Sequence, residues 1–295
     1  MFTLIPLGDP GKGPYGITQG SDGALWLTLV HSGEIARLGI DGRVDRYGLD
    51  APGSRPTMIA PGPDGALWFS RYGDHRIGRI TVEGHASSYT VQTPESGPYG
   101  LVAGMDGAVW FTELNADRIG RITVEGQVTE HPLPVQGAYP SAIAPGRDGA
   151  LWFTLNQADA IGRHVPGGGT TVFPLPTQGA APVGLTRGGD GAMWFVEIGA
   201  GQIGRITADG AVTEYALPDR AARPHAVVTD PGGDGCWFTQ WAAGSVGHVG
   251  ADGTVREYAL PSGTAEPHGL AFGADGALYV ALESGQVARL DLQAA

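Results

Sequence analysis

Asp106-Gly107-Ala108-Val109-Trp110-Phe111-Thr112-Glu113 recurs, with small changes, along a chain of 295 residues. Its counterparts are Asp22-Gly23-Ala24-Leu25-Trp26, Asp64-Gly65-Ala66-Leu67-Trp68, Asp148-Gly149-Ala150-Leu151-Trp152, Asp190-Gly191-Ala192-Met193-Trp194, Asp234-Gly235-Cys236-Trp237 and Asp275-Gly276-Ala277-Leu278-Tyr279. The aromatic residue falls at 26, 68, 110, 152, 194, 237 and 279, a period of 42 residues with one step of 43. Seven copies fill the sequence, so residues 1–295 read as a single domain built from seven units.

The third unit shows what each unit must be. Pro98 to Ala103 is a short apolar run, and Asp106-Gly107 is a turn signal because glycine tolerates positive φ. Ala108 to Thr112 is β-branched and aromatic, Arg118-Ile119-Gly120-Arg121-Ile122 is a third run, and Glu125-Gly126 is a second turn. Gln127 to Leu133 then alternates polar and apolar residues. Four short runs joined by tight turns predict a four-stranded antiparallel meander. One such sheet cannot bury both its faces, but sheets stacked radially can. The expected fold is therefore all-β: a seven-bladed β-propeller of four-stranded antiparallel blades. The seventh unit ends near Leu290 without a fourth strand, and Thr3-Leu4-Ile5-Pro6-Leu7 matches the fourth-strand pattern Thr213-Glu214-Tyr215-Ala216-Leu217. The N-terminal strand is thus expected to complete the last blade, close the ring and remove an exposed edge.

Composition narrows the function. The formal net charge is −12, and Lys12 is the only lysine. A protein that grips a phosphate backbone needs clustered cations, so no nucleic-acid partner is expected. Cys236 is the single cysteine and takes the place of the repeat's alanine, which suits a small buried apolar role rather than catalysis. No apolar run is long enough to span a membrane, and the N-terminus lacks the charged and apolar regions of a secretory signal, so a soluble cytoplasmic protein is the expectation. Ring closure needs no second chain, which favours a monomer. The repeated Trp and Phe read as core between blades, the Arg-Ile-Gly-Arg tracts as structural, and the Asp-Gly pairs as turns rather than metal loops.

The seven units can be compared with one another, and this separates scaffold from specialisation. Each first strand begins with a proline, at 14, 56, 98, 140, 182, 224 and 267, whereas the residues flanking it vary. Glu266-Pro267-His268 stands out among them, with His225 at the matching place in the preceding unit. Side chains two apart on a strand share a face, so Glu266 and His268 are expected to converge. Glu283, at the end of the second strand of the last unit, should reach the same mouth of the ring. Two carboxylates suit a hard, oxygen-seeking cation such as Mg²⁺, and a histidine left free of the metal can move a proton near neutral pH. A Zn²⁺ hydrolase using Glu266, His268 and Glu283 is a second possibility, although no His-x-x-x-His or Cys-x-x-Cys spacing accompanies it. Solvated loop residues are a third. No nucleophile elbow and no phosphate-binding glycine loop is present. The other histidines, at 31, 75, 85, 131, 164 and 248, fall in turns or outer strands and are expected to be exposed or incidental. Trp241, at the same mouth, is a candidate apolar wall for a ligand.

These residues resemble the virginiamycin B lyase (streptogramin B lyase) family over essentially the whole chain. The resemblance is carried by Pro14-Tyr15-Gly16-Ile17, the Trp-Phe-Thr and Arg-Ile-Gly-Arg-Ile-Thr tracts, Arg223-Pro224-His225-Ala226 and Glu266-Pro267-His268-Gly269. It implies an enzyme, a carbon–oxygen lyase that opens cyclic streptogramin B-type depsipeptides and so confers antibiotic resistance. By similarity Glu266 and Glu283 would hold Mg²⁺, His268 would be the general base or acid, and His225 would bind substrate. The sequence departs from the pattern at Tyr279, where the other units have Trp, and at Gln240, placed at the mouth, where a Glu would follow Trp-Phe-Thr. Two other readings of the same mouth are a non-catalytic ligand- or protein-binding propeller and a metal-dependent hydrolase such as a lactonase.

Overall fold

A computed structural model describes residues 2–261 and 266–292. Its strands form seven four-stranded antiparallel sheets, six of them taken in chain order. Numbered along the chain, blade 1 opens at Pro14 and blade 7 at Pro267. The seventh sheet combines Pro267–Phe272, Leu278–Leu282 and Gln286–Leu290 with the N-terminal strand Phe2–Pro6. Register runs from Phe2 opposite Leu290 to Pro6 opposite Gln286, so the expected closure is present. The innermost strands of consecutive blades pack side by side, and that of blade 7 meets that of blade 1. The chain is a seven-bladed β-propeller.

The repeated motif is a set of mutually dependent contacts. In blade 3 the Asp106 carboxylate accepts the indole N–H of Trp110 at 3.1 Å and the guanidinium of Arg121 at 2.7 Å. Asp22, Asp64 and Asp190 bind their own Trp and Arg in the same way. In blade 7 the Tyr279 hydroxyl donates to Asp275 in place of the indole, which makes its departure from Trp a matter of packing. In blade 6 the longer turn hands the role to Asp230, not Asp234: Trp237 and His248 both contact it. The Trp faces are covered from the fourth strand, as by Tyr47 on Trp26 and Tyr215 on Trp194, with ring centroids 5.6 and 5.7 Å apart.

Two further rules follow from packing. The glycine of Arg-Ile-Gly-Arg lies opposite the Phe of the second strand, and a Cβ on Gly78 or Gly120 would come within 2.1 Å of Phe69 or Phe111. Where the second strand carries Leu27 or Val280 instead, the opposing residue is Ala36 or Ala288. The Thr of Trp-Phe-Thr joins neighbouring blades. Thr112 Oγ1 accepts from Gly100 N and donates to Ser141 O, and Thr239 Oγ1 accepts from Ala226 N and donates to His268 O at 2.9 Å.

The second strands of blades 3 and 5 end in fully buried carboxyls, Glu113 and Glu197. Burial, with the Glu130 carboxylate nearby, pushes Glu113 up to about 7, against a smaller lowering by Ser96. Below pH 4.5 this carboxyl is protonated in folded and unfolded chains alike. Between 4.5 and 7 the unfolded chain ionises first, so stability falls as pH rises, by up to about 3 kcal/mol. Glu113→Gln is expected to raise the thermal midpoint at pH 8 and to leave it unmoved at pH 4. An equal shift at both values would show that titration is not the cause.

Candidate active site at the mouth of the ring

The residue before each first-strand proline adopts a left-handed conformation in all seven blades. Its φ is 66° at Gly13, 47° at Arg55, 64° at Gly97, 56° at Tyr139, 47° at Ala181, 53° at Arg223 and 57° at Glu266. A residue before proline ordinarily prefers extended backbone, and left-handed φ is costly for anything but glycine. The cost at each non-glycine position is of order 1–3 kcal/mol and is borne by the surrounding structure. The expected route to convergence is therefore corrected. Glu266 lies before the strand Pro267–Phe272, not on it, and turns into the mouth through its left-handed backbone. One-residue bulges then interrupt the register of each first strand, between Pro267 and Leu270 in blade 7.

The same geometry brings Glu283 to Glu266. Glu283 N donates to Glu266 O at 3.3 Å, as Tyr72 N does to Arg55 O and Trp241 N to Arg223 O. The residue after the second strand is thus fixed opposite the residue before the proline. His268 Nε2 lies 2.7 Å from Glu283 Oε2. His268 is buried and its Nδ1 has no hydrogen-bond partner among the described residues. The ring of His225 is edge-on to His268 with centroids 5.0 Å apart, and its Nε2 is 3.4 Å from the Tyr15 hydroxyl. Tyr15 lies over His268 at 4.3 Å and bonds Tyr99 through the two hydroxyls at 2.6 Å. All four residues singled out from the sequence are gathered here.

Electrostatics differentiates them. Burial, with His268 adjacent, depresses His225 to about 3, so it is a neutral hydrogen-bonding group over the working pH range. Burial likewise lowers His268, against an opposing pull from Glu283. Burial alone would raise Glu283, but hydrogen bonds to His268, Glu266 and His31 outweigh it and bring it down to about 2. Glu266 moves the other way, raised by its hydrogen bond to Glu283 and by burial. The two adjacent carboxyls thus shift in opposite directions, as a hydrogen-bonded pair does. Glu266, His268 and Glu283 each offer a ligand atom, all within 4.8 Å of one another. The oxygens of two carboxylates fit a hard divalent cation that retains several waters, as Mg²⁺ does.

A cavity of about 510 Å³ opens beside the cluster. With the exception of His31, every residue lining it stands at one of three repeat positions: before the proline, after it, or just after the second strand. Tyr15, Tyr72, Tyr99 and Tyr139 give it an aromatic wall. The column after the second strand reads Val30, Tyr72, Leu114, Asn156, Ile198, Trp241 and Glu283. Aligning that column in full would have revealed Tyr72 and Asn156 as mouth residues.

Three sequence expectations need correction. Gln240 is fully buried, donating from Nε2 to Glu257 Oε1 at 2.7 Å and accepting from Ser245, so it does not reach the mouth. Trp241 is half-buried beneath the Arg223 guanidinium, 5.9 Å from the ring centroid, and does not line the main cavity. His31 is exposed, as expected, and its Nε2 lies 2.7 Å from Glu283 Oε1. His164, also expected outside, is buried beside His131 and Trp110.

Fold and cluster together define a class: a seven-bladed propeller carrying an acidic–histidine site at one mouth of its ring. Residues 1–290 match the model of the virginiamycin B lyase family, and the chain belongs to that family. It is 41% identical to virginiamycin B lyase from Staphylococcus aureus, with a TM-score of 0.95 over 99% of both chains. A catalytically inactive histidine-to-alanine variant of virginiamycin B lyase from the same organism, solved with quinupristin, superposes with a TM-score of 0.94 at 41% identity, over 99% of this chain and 100% of that one. A stretch of 43 residues is 65% identical to virginiamycin B lyase from Saccharopolyspora erythraea, spanning 15% of this chain and 14% of that relative. Among the described residues no helix is long and apolar enough to cross a membrane.

Proposed function

We propose that this protein is a cation-dependent lyase that linearises cyclic streptogramin B-type depsipeptides by elimination, and thereby inactivates them as antibiotics. The observation that carries this reading is the joined set of Glu266, Glu283 and His268 beside an aromatic-walled cavity. Glu266 and Glu283 would hold Mg²⁺. When bound there, the cation supplies electrostatic stabilisation of the negative charge that develops on the substrate.

The remaining chemistry is assigned to side chains. In this substrate class an ester joins a threonine side-chain oxygen to a carboxyl group, and the threonine Cα proton is β to that C–O bond. Removing the proton forms a Cα–Cβ double bond, breaks the Cβ–O bond and releases a carboxylate, so no water is consumed. His268 presents Nε2 on the Glu283 side and keeps Nδ1 buried. Nε2 is therefore the nitrogen assigned to proton exchange with substrate, as general base or acid; in the site as it stands it carries the proton that it donates to the ionised Glu283 carboxylate. Burial lowers the proton affinity of His268 and so favours the neutral ring that a base requires. His225, neutral and adjacent, would hydrogen-bond a substrate amide or ester group. The tyrosine wall would receive the apolar side chains of the cyclic peptide. We further propose that the closed ring acts as a single-domain cytoplasmic monomer.

The test is product mass after incubation with a streptogramin B-type depsipeptide, in Mg²⁺ or in EDTA. An opened product of unchanged mass, formed with Mg²⁺ and not with EDTA, is expected. A product heavier by one water would mean hydrolysis, and no product would turn the reading to a binding propeller.

A further inference from the structure

We infer that His31 is a positioning residue of the cation site, reaching across from blade 1 to hold the Glu283 carboxylate in the orientation the cation requires. The inference rests on the proposed role of Glu266 and Glu283 as cation ligands. His31 and Glu283 are 252 residues apart in sequence and meet across the seam where the ring closes. His31 Nε2 is 2.7 Å from Oε1, and His268 Nε2 is 2.7 Å from Oε2. Each carboxylate oxygen thus has its own imidazole, one from each side of the seam. The carboxylate cannot rotate about Cγ–Cδ without losing one of these bonds. Carboxylates that bind metals are commonly oriented in this way by a partner that does not itself touch the ion.

The local sequence of blade 1 makes the reach possible. Gly13 stands before the proline, where five of the other six blades carry Arg55, Tyr139, Ala181, Arg223 and Glu266 and blade 3 carries Gly97. A Cβ at Gly13 would lie 2.4 Å from His31 Cδ2 and 2.8 Å from its Nε2. The imidazole therefore occupies the space that a side chain fills elsewhere. Its backbone is tied down by the bond from His31 N to Lys12 O at 3.1 Å. The His31 side chain remains 47% exposed, so its bond to Glu283 contributes little to folding. Its effect belongs to the geometry of the carboxylate.

Isothermal titration of Mg²⁺ alone into wild type, His31→Ala, His31→Gln and Glu283→Gln tests this, with thermal unfolding of each in EDTA. His31→Ala is expected to weaken Mg²⁺ binding roughly tenfold or more with an unchanged unfolding midpoint. His31→Gln should recover part of the loss, because its amide N–H can donate to Oε1. Wild-type affinity in His31→Ala, with binding lost in Glu283→Gln, would overturn the inference and leave the cation site standing. A matching fall in midpoint in EDTA would also overturn it, by assigning His31 to the fold. Absence of Mg²⁺ binding in wild type would remove both the inference and the cation reading.

Discussion

Replacing His268 with alanine is expected to lower kcat for depsipeptide opening by roughly 10²–10⁴, the range a positioned acid–base group supplies. The fold should survive. The backbone bond that blade 6 makes to this residue, from Thr239 Oγ1 to His268 O, does not involve the imidazole. The change also removes a buried ring nitrogen that has no partner among the described residues. Stability should therefore change by no more than about 2 kcal/mol. The tyrosine wall and the Glu266–Glu283 pair remain, so substrate and Mg²⁺ should still bind. Single-turnover kinetics beside a substrate titration makes the distinction. Wild-type turnover in the variant would remove His268 from the chemistry. Lost turnover together with lost binding would move it from proton transfer to substrate recognition.

Glu283→Gln is expected to have a broader effect, since Glu283 is the point where three side chains meet: Glu266, His268 and His31. An amide has the shape of the carboxylate without its charge. It offers one acceptor oxygen where the carboxylate offers two, and it cannot serve both imidazoles as an acceptor. Mg²⁺ binding should fall below detection. Turnover should drop by about 10³, the equivalent of several kcal/mol of electrostatic stabilisation. Adding Mg²⁺ in excess should not restore the rate, whereas wild type stripped with EDTA should recover fully when Mg²⁺ is returned. Turnover of the variant at the wild-type rate in EDTA would exclude a cation from the reaction.

The scaffold was legible because its rules are local and repeated seven times. Asp at the turn, Trp four residues later and Arg on the next strand are spaced so that one carboxylate serves both. The Gly–Phe pairing follows directly from strand register. The N-terminal strand could be assigned to blade 7 because the last unit is one strand short and the first residues carry the missing pattern. Glu266, His268, Glu283 and His225 were visible for the opposite reason, as departures from a repeat. Gln240 was also a departure, but one that exchanged one buried polar side chain for another between blades. A break in pattern marks a position as unusual without saying which way its side chain points.

The amino-acid sequence by itself determined the number of blades, the strand order within them, the strand that closes the ring and the mouth at which the ionisable residues gather. All of these depend on periodicity and on neighbours close along the chain. Only the tertiary structure decided how the site is assembled. The left-handed backbone at Glu266 runs against the local preference of a residue before proline, and is sustained by its pairing with Glu283 and by the packed ring around it. The bond from His31 to Glu283 joins residues from opposite ends of the chain, with no spacing rule to announce it. It exists because closing the ring sets blade 1 against blade 7, and because Gly13 leaves open the space through which the imidazole reaches.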